Sequence, residues 1–275
     1  MVATDELPII QLDERDALAG LALSTEAGWN QNEADWHFFL TGGLVFGVRD
    51  HDGRLIATAA LLPYTDQEAW ISMVLVTESW RRRGVATRLV DACLEAARRR
   101  GLTTWLDATP AGAAVYGPLG FTQTVELRRL RLECAASGSP GTELVEGKLG
   151  DFIIRDINAI GFDRRDFLAE VDGRPGSRLL STWDAMALVR DGRTARHIGP
   201  VFAGDPSSAL ALVAAIVASE GEAHLIDAVA THADFLDGLT RMGWTLERPF
   251  QRMRIGNAPQ VTVEHPFAVA GPEFG

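Results

Sequence analysis

The chain has 275 residues, 47% hydrophobic and 23% charged, enough apolar mass for one large domain or two smaller ones. Its formal net charge of −11 argues against nucleic acid as the main partner, because phosphate binding needs a basic face, and suits a cationic substrate such as an amine. No run of about 18 apolar residues marks a membrane span, acidic residues stand where a secretion signal would be basic, and two cysteines cannot build a disulfide framework. The expected address is the cytoplasm, with no membrane partner. Cys93 and Cys134 belong to no Cys/His spacing of a metal site, so no metal is expected.

Read in chain order, PIIQL is strand-like and helices follow near residues 13–27 and 33–40. Strands are expected at 43–49, 54–62 and 68–76, the first two joined by the Asp-Gly turn at 50–53. From 84 to 100 the apolar residues Val85, Leu89, Val90, Cys93, Leu94 and Ala97 recur at helical spacing, with Gly101 in C-cap position. A strand at 103–108, a short helix at 113–119 and a strand at 124–133 close this half.

Residues 134–147 (CAASGSPGTELVEG) are small, polar and rich in Gly and Ser, as in a linker. Beyond them the pattern restarts. Helices are expected near 153–160 and 163–170, then strand 185–190, strand 197–203, helix 207–220, strand 224–230, helix 232–242 and strand 245–255. The shared order implies two copies of one mixed α/β unit: 1–135 and 148–275, joined by 136–147.

The segment most informative about chemistry is ISMVLVTESWRRRGVATRLVDACLEAARRRG, residues 71–101. An apolar strand leads into Arg81-Arg82-Arg83-Gly84 and then a long amphipathic helix. Three arginines are unfavourable at a helix N-terminus, which carries about half a positive charge, unless a polyanion sits there. Helix-start N–H groups, a glycine permitting close approach and nearby guanidinium groups together form a pyrophosphate cradle. A solvated basic turn is the plain alternative, and the strand–loop–helix context weighs against it.

R-x-x-G-x-A after an apolar strand resembles the acetyl-CoA loop of the GNAT acetyltransferase superfamily. The resemblance implies that acetyl-CoA is the co-substrate. Its pyrophosphate would lie on the backbone of Arg82, Arg83, Gly84, Val85, Ala86 and Thr87. The strand before the loop would splay from its neighbour at a bulge. There Val74, Leu75 and Val76 would pair with the pantetheine arm, a donor among them serving as an oxyanion hole. Ala113–Phe121 (AAVYGPLGF) resembles the family's Y-x-x-x-G-F ending, in which Tyr116 would protonate the departing thiolate. The family often has an asparagine seven residues earlier; here Thr109 stands there, with a hydroxyl still able to hydrogen-bond.

Gly28–Trp36 (GWNQNEADW) resembles a segment of two-domain bacterial GNAT proteins whose C-terminal domain is degenerate, and Leu106–Pro110 with Phe250–Met253 also fit that group. The fold implied is mixed α/β (α+β): tandem GNAT-like domains, each a mostly antiparallel sheet flanked by helices. By family position, residues 28–40 would cover the acceptor site. Trp29, Asn30 and Trp36 would line it, with Glu33 and Asp35 supplying charge. A helix cap with core tryptophans is the structural alternative. Asp107, at a strand end, is a candidate to orient the amine or pass its proton, and Glu78 a weaker base.

The second half lacks the cradle. Gly204-Asp205-Pro206 replaces it with an acid that repels pyrophosphate and a proline that offers no N–H. At 239–244, LTRMGW keeps the turn and loses the tyrosine. The expectation is therefore acetyl transfer to the primary amine of a small molecule, in the first domain only. The rivals are an acyl-CoA-binding sensor, which would not need Tyr116, and an enzyme acting on a protein amine.

Overall fold

A computed structural model of the chain describes residues 7–133, 142–257 and 265–275. The chain divides by contacts into two compact units: Met1–Leu106 with Arg254–Gly256, and Asp107–Met253 with Asn257–Gly275.

The first unit opens with β1 (Ile9–Gln11), α1 (Ala17–Glu26) and α2 (Glu33–Gly42). Antiparallel strands β2 (Leu44–Arg49), β3 (Leu55–Pro63) and β4 (Glu68–Val76) follow, then α3 (Val85–Arg99) and the start of β5 (Thr103–Ala108), which runs parallel to β4. Local chemistry sets the helix starts. Asn32 and Asp35 form a capping box at α2, each side chain accepting the other's backbone N–H. The predicted stripe of α3 is buried, from Val85 through Ala97.

The second unit contains α4 (Pro110–Tyr116), β6 (Thr122–Leu132), β7 (Val145–Glu146), α5 (Leu149–Ile160), α6 (Arg165–Asp172), β8 (Arg178–Ser181), β9 (Ala185–Arg190), β10 (Arg196–Ala203), α7 (Pro206–Glu220), β11 (His224–Val229), α8 (Ala233–Arg241), all but the last two residues of β12 (Thr245–Ile255), and β13 (Ala268–Val269). Its strand order is β12-β6-β11-β13-β10-β9-β8-β7. The core gathers Leu212, Val213 and Ile216 of α7, Phe235 and Leu239 of α8, and the strand residues beneath them.

The contacts add to the expected organisation and differ from it in places. The compact units divide at Leu106/Asp107, because β6, last strand of the first repeat, pairs antiparallel with β11 over Leu127↔Val229 to Leu132↔His224. Of the expected linker, residues 134–141 lie outside the described residues, as does Cys134, while Val145–Glu146 form β7. Helix α4 starts at Pro110, three residues before its expected start, since Thr109 caps it and proline suits the first helical position. Strands β8 and β13 escaped the reading of the sequence; β13 has only two residues, too few for an alternation.

The second unit buries charge as well as apolar surface. Arg129 donates to both oxygens of Asp227 at 2.9 and 2.8 Å, and His197 Nε2 lies 2.9 Å from Asp227 Oδ2. Arg190 reaches Glu273 at 2.6 Å. Burial by itself would raise the Asp227 carboxyl, but Arg129 and His197 hold it well below the usual carboxylate range. Burial, reinforced by nearby Arg190, lowers the His197 imidazole against the opposing pull of Asp227 and Glu273. A base whose folded pKa is depressed contributes stability above its unfolded pKa, about 6.5, and loses it as pH falls towards the folded value. Unfolding free energy should therefore fall on acidification below about pH 6.5, by up to about 1.4 kcal/mol per pH unit from this group. His265, also lowered by burial first, adds the same sign. Urea unfolding of His197→Gln across pH 5–7 should give a shallower slope than the parent; an unchanged slope would remove His197 from the account.

Candidate cofactor site

The site is built on the end of β4. Its parallel pairing with β5 runs from Glu68↔Thr103 to Trp70↔Trp105, and β4 continues six residues past the last pair, to Val76. On its other side the register with β3 shifts: Ala60 faces Ser72 and Thr58 faces Leu75, so Met73 and Val74 together oppose Ala59. This is a β-bulge, with Met73 at φ 51. The Thr58 hydroxyl donates to the Met73 carbonyl at 2.8 Å and fixes it. A bulge at this strand was the expectation, and Val74, Leu75 and Val76 lie on it or just beyond it.

The turn out of β4 is held by a residue the sequence reading passed over. Glu26, last residue of α1, accepts from the Thr77 hydroxyl at 2.6 and 2.7 Å and from the Glu78 backbone N–H at 2.7 Å. Those bonds, the Thr77 hydroxyl first, lower its carboxyl. A signal was present: a carboxylate at a helix C-terminus opposes the macrodipole and implies a partner elsewhere. The Glu78 side chain points to solvent.

Residues 81–84 are exposed, and the chain there takes two left-handed conformations, Arg82 at φ 59 and Gly84 at φ 78. Arg81 Nε donates back to the Val76 carbonyl at 3.0 Å, and the Arg83 guanidinium lies 5.0 Å from the Trp80 ring centre. Gly84 is the N-cap of α3 and brings no capping side chain, so the first-turn N–H groups of Val85, Ala86 and Thr87 have no carboxylate or hydroxyl cap from this position. Val85 buries its side chain. The corresponding start of α7 is built the other way. Asp205 accepts from Ser207 N–H at 2.7 Å and Ser208 N–H at 3.0 Å, and Pro206 follows it. An anion would meet arginines and N–H groups at α3, and a carboxylate at α7.

The acceptor segment reads differently in three dimensions. Trp36 is fully buried: its indole N–H donates to Ser24 Oγ at 3.1 Å, and a methyl group at Gly20 would come within 2.4 Å of the ring. Asp35 is buried as half of the α2 capping box. Both are corrected here from acceptor-lining residues to structural ones, since neither side chain reaches solvent. Asn30 is buried too; Trp29 is half-buried. Glu33 is exposed, 3.6 Å from His37 one helical turn on.

Asp107, Thr109 and Tyr116 belong to the second unit. Asp107 is enclosed, with Arg252 Nε and Nη2 each 2.9 Å from one of its oxygens. Burial pushes its carboxyl up against the pull of Arg252. Expected to orient the amine or pass on its proton, Asp107 is instead a buried ion-pair partner of Arg252. The Thr109 hydroxyl accepts from Gly112 N–H at 3.2 Å as the α4 cap, leaving its own proton to donate. Tyr116 is half-buried at the end of α4, its ring 6.1 Å from that of Phe121.

Set against known proteins, residues 12–121 match an acetyltransferase (GNAT) family model and residues 154–268 match a second model, an acetyltransferase (GNAT) domain. An uncharacterised N-acetyltransferase of Bacillus subtilis, YitH, is 24% identical over 258 residues, covering 89% of both chains. Among solved structures, an acetyltransferase candidate from Pyrococcus horikoshii superposes with a TM-score of 0.82 at 20% identity, over 100% of this chain and 98% of that one. A tandem GNAT protein from the clavulanic acid biosynthesis pathway gives 0.65 at 16% identity, over 92% and 100%.

The corrected place of Trp36 has a measurable consequence. Trp36→Ala should lower unfolding free energy by about 3–5 kcal/mol, as loss of a core aromatic does. Asn32→Ala should cost about 1 kcal/mol, the value of a helix cap. Urea unfolding checks both. A Trp36→Ala protein as stable as the parent would return the ring to the acceptor site.

Proposed function

The chain is a tandem member of the GNAT acetyltransferase superfamily, and we propose that its first repeat transfers an acetyl group from acetyl-CoA directly to the primary amine of a small acceptor, with no covalent enzyme intermediate. The observation carrying this reading is the path from the bulged end of β4 into α3, whose start has arginines and no capping side chain, in contrast to the acid-capped start of α7. Acetyl-CoA bound there supplies the activated acyl group. Backbone N–H groups at Arg82–Thr87 hold the pyrophosphate, and the αL turns at Arg82 and Gly84 aim them. Backbone groups of Val74, Leu75 and Val76 bond the pantetheine amides, and one N–H donates to the thioester carbonyl, where negative charge develops in the transition state.

Tyr116 takes the part of proton donor on its motif position. A phenol of pKa about 10 need only share its proton with the departing sulfur in the transition state. With Trp36, Asp35 and Asp107 committed to structure, Trp29 and Glu33 are the remaining acceptor candidates near α2. The overall negative charge favours approach of a cationic acceptor. The amine must be neutral to attack, so a carboxylate such as Glu33 serves a second cationic group better than the reacting nitrogen. We place the protein in the cytoplasm; no described helix is long and apolar enough to cross a membrane.

Calorimetry should show one acetyl-CoA per chain. Gly84→Asp, which sets a carboxylate against the pyrophosphate, should raise the Kd at least about tenfold, or about 1.4 kcal/mol. Two equivalent sites, or a Gly84→Asp protein that binds as the parent does, would defeat the assignment. Tyr116→Phe should lower kcat by about 10²–10⁴-fold, the usual worth of a general acid, with acetyl-CoA affinity nearly unchanged. Free-CoA release across a panel of amines measures this, and a parental rate in Tyr116→Phe would move the proton to another group or to water.

A further inference from the structure

The second unit repeats the first in element order, with β8, β9, β10, α7 and β11 in the places of β2, β3, β4, α3 and β5. The repeat extends to the pairing. Where β4 and β5 run parallel for three residue pairs, β10 and β11 also run parallel for three, Arg196↔His224 to Ile198↔Ile226. Beyond them β10 is irregular, its register with β9 shifting between Ile198 and Val201 as that of β4 with β3 shifts at Met73. A parallel pair that stops here leaves backbone groups on facing strand edges.

In the second unit those edges are met by the chain itself. β13 enters antiparallel to both strands, Ala268 opposite Val201 on β10 and Ala228 on β11, Val269 opposite Asp227. The Phe267 N–H donates to the Val201 carbonyl at 2.9 Å, and its carbonyl accepts from the Val229 N–H at 3.0 Å. The Phe267 ring stacks on His232 at 4.3 Å. Further on, Glu273 accepts from Arg190 at 2.6 Å, and Arg164 Nη1 donates to the carbonyls of Phe274 and Gly275 at 2.8 and 2.6 Å. Ala268 and Phe274 are fully buried. Gly199 makes room for this course: a methyl group there would lie 2.1 Å from the Val269 carbonyl oxygen.

We infer that the widening between β10 and β11 is a peptide-binding site, and that residues 267–275 are its ligand, carried in cis where the first repeat seats a pantetheine arm. The comparison with pantetheine rests on the cofactor reading above. The chemistry is shared, because a pantetheine arm bears two amides and is bound, like a peptide, by strand addition. The site selects an extended segment: an aromatic first residue, small residues where the strands flank it closely, and an acid for Arg190. With the segment seated, the second repeat has no edge left for an acyl-CoA, independently of the Asp205 cap.

Hydrogen exchange and CoA titration on the full-length protein test this together. The peptide covering 267–270 should exchange as slowly as β11 and be unchanged by saturating CoA. Exchange as fast as an exposed loop, or release of the segment by CoA, overturns the proposal. Full-length Gly199→Ala should speed exchange of 267–270 at least tenfold while 68–76 stays as in the parent, and retained protection overturns it. Should that variant fail to fold, Glu273→Ala is the second route. It should loosen the segment and take up a synthetic FAVAGPEFG peptide saturably, at least tenfold better than the same peptide with alanine for its glutamate. No saturable uptake overturns the proposal. The titration separates the two readings. One CoA per chain with a protected segment supports both. No CoA bound with a protected segment removes the cofactor reading alone, and two CoA per chain overturns the inference drawn here.

Discussion

A parallel strand pair that parts after a few residues exposes backbone N–H and C=O groups inside a sheet. Each such group, if buried without a partner, costs about 1–3 kcal/mol. Much of this structure follows from that constraint. Both repeats carry the same three-pair parallel register and the same irregularity just beyond it, at Met73 and between Ile198 and Val201. In the second repeat the segment around β13 satisfies the edges, and the ion pairs and stacked rings beyond it hold that segment down. At the end of the strand the two repeats differ: arginines stand around an αL turn in the first, and in the second the Arg164 and Arg190 guanidinium groups meet the final segment.

The buried charges of the second unit fit the same logic. Arg129 with Asp227, Arg190 with Glu273, Arg164 with Asp156 and Arg252 with Asp107 are four enclosed pairs, each with a bond of 2.9 Å or less. Buried pairs contribute little net stability, because desolvation offsets the attraction, yet breaking one by removing a partner is costly. Their effect is to make one arrangement of strands acceptable. Arg129 on β6 joins Asp227 on β11, and Glu273 joins Arg190 on β9, so strand partners and the final segment are specified by charge as well as by hydrogen bonds.

Local periodicity and turn chemistry made most elements legible in the sequence. The α3 stripe, the Asp-Gly turn and the restart of the pattern beyond residue 148 all depend on neighbours within a few turns or a strand length. The uncapped, arginine-flanked start of α3 was legible for a similar reason: arginines at a helix start conflict with the dipole within the same dozen residues. What escaped depends on distant partners. Nothing in GWNQNEADW tells a tryptophan that walls a pocket from one that fills the gap over Gly20, and the capping box of Asn32 and Asp35 was the local clue pointing to structure. Asp107 at a strand end suited catalysis until Arg252, far along the chain, took both of its oxygens. The pairing of β6 with β11 is equally non-local, and a two-residue strand such as β13 carries no period at all.

The two helix starts show how a repeat changes its chemistry at small structural expense. α3 and α7 have fifteen residues each, and both follow an irregular strand of their repeat. At α3 the N-cap is a left-handed glycine, which tolerates the turn but supplies no acceptor, and the nearby charges are arginines. At α7 the N-cap is Asp205, whose carboxylate takes two of the helix-start N–H groups, and proline removes another donor. An aspartate cap favours its helix by about 1 kcal/mol, so the second arrangement is the better one for folding. The first leaves that stabilisation unmade and gathers like charge at a positive dipole end. A local arrangement worse for folding than its own repeat partner is what a site for a polyanion requires, since N–H groups already satisfied by a carboxylate have nothing left to offer a phosphate.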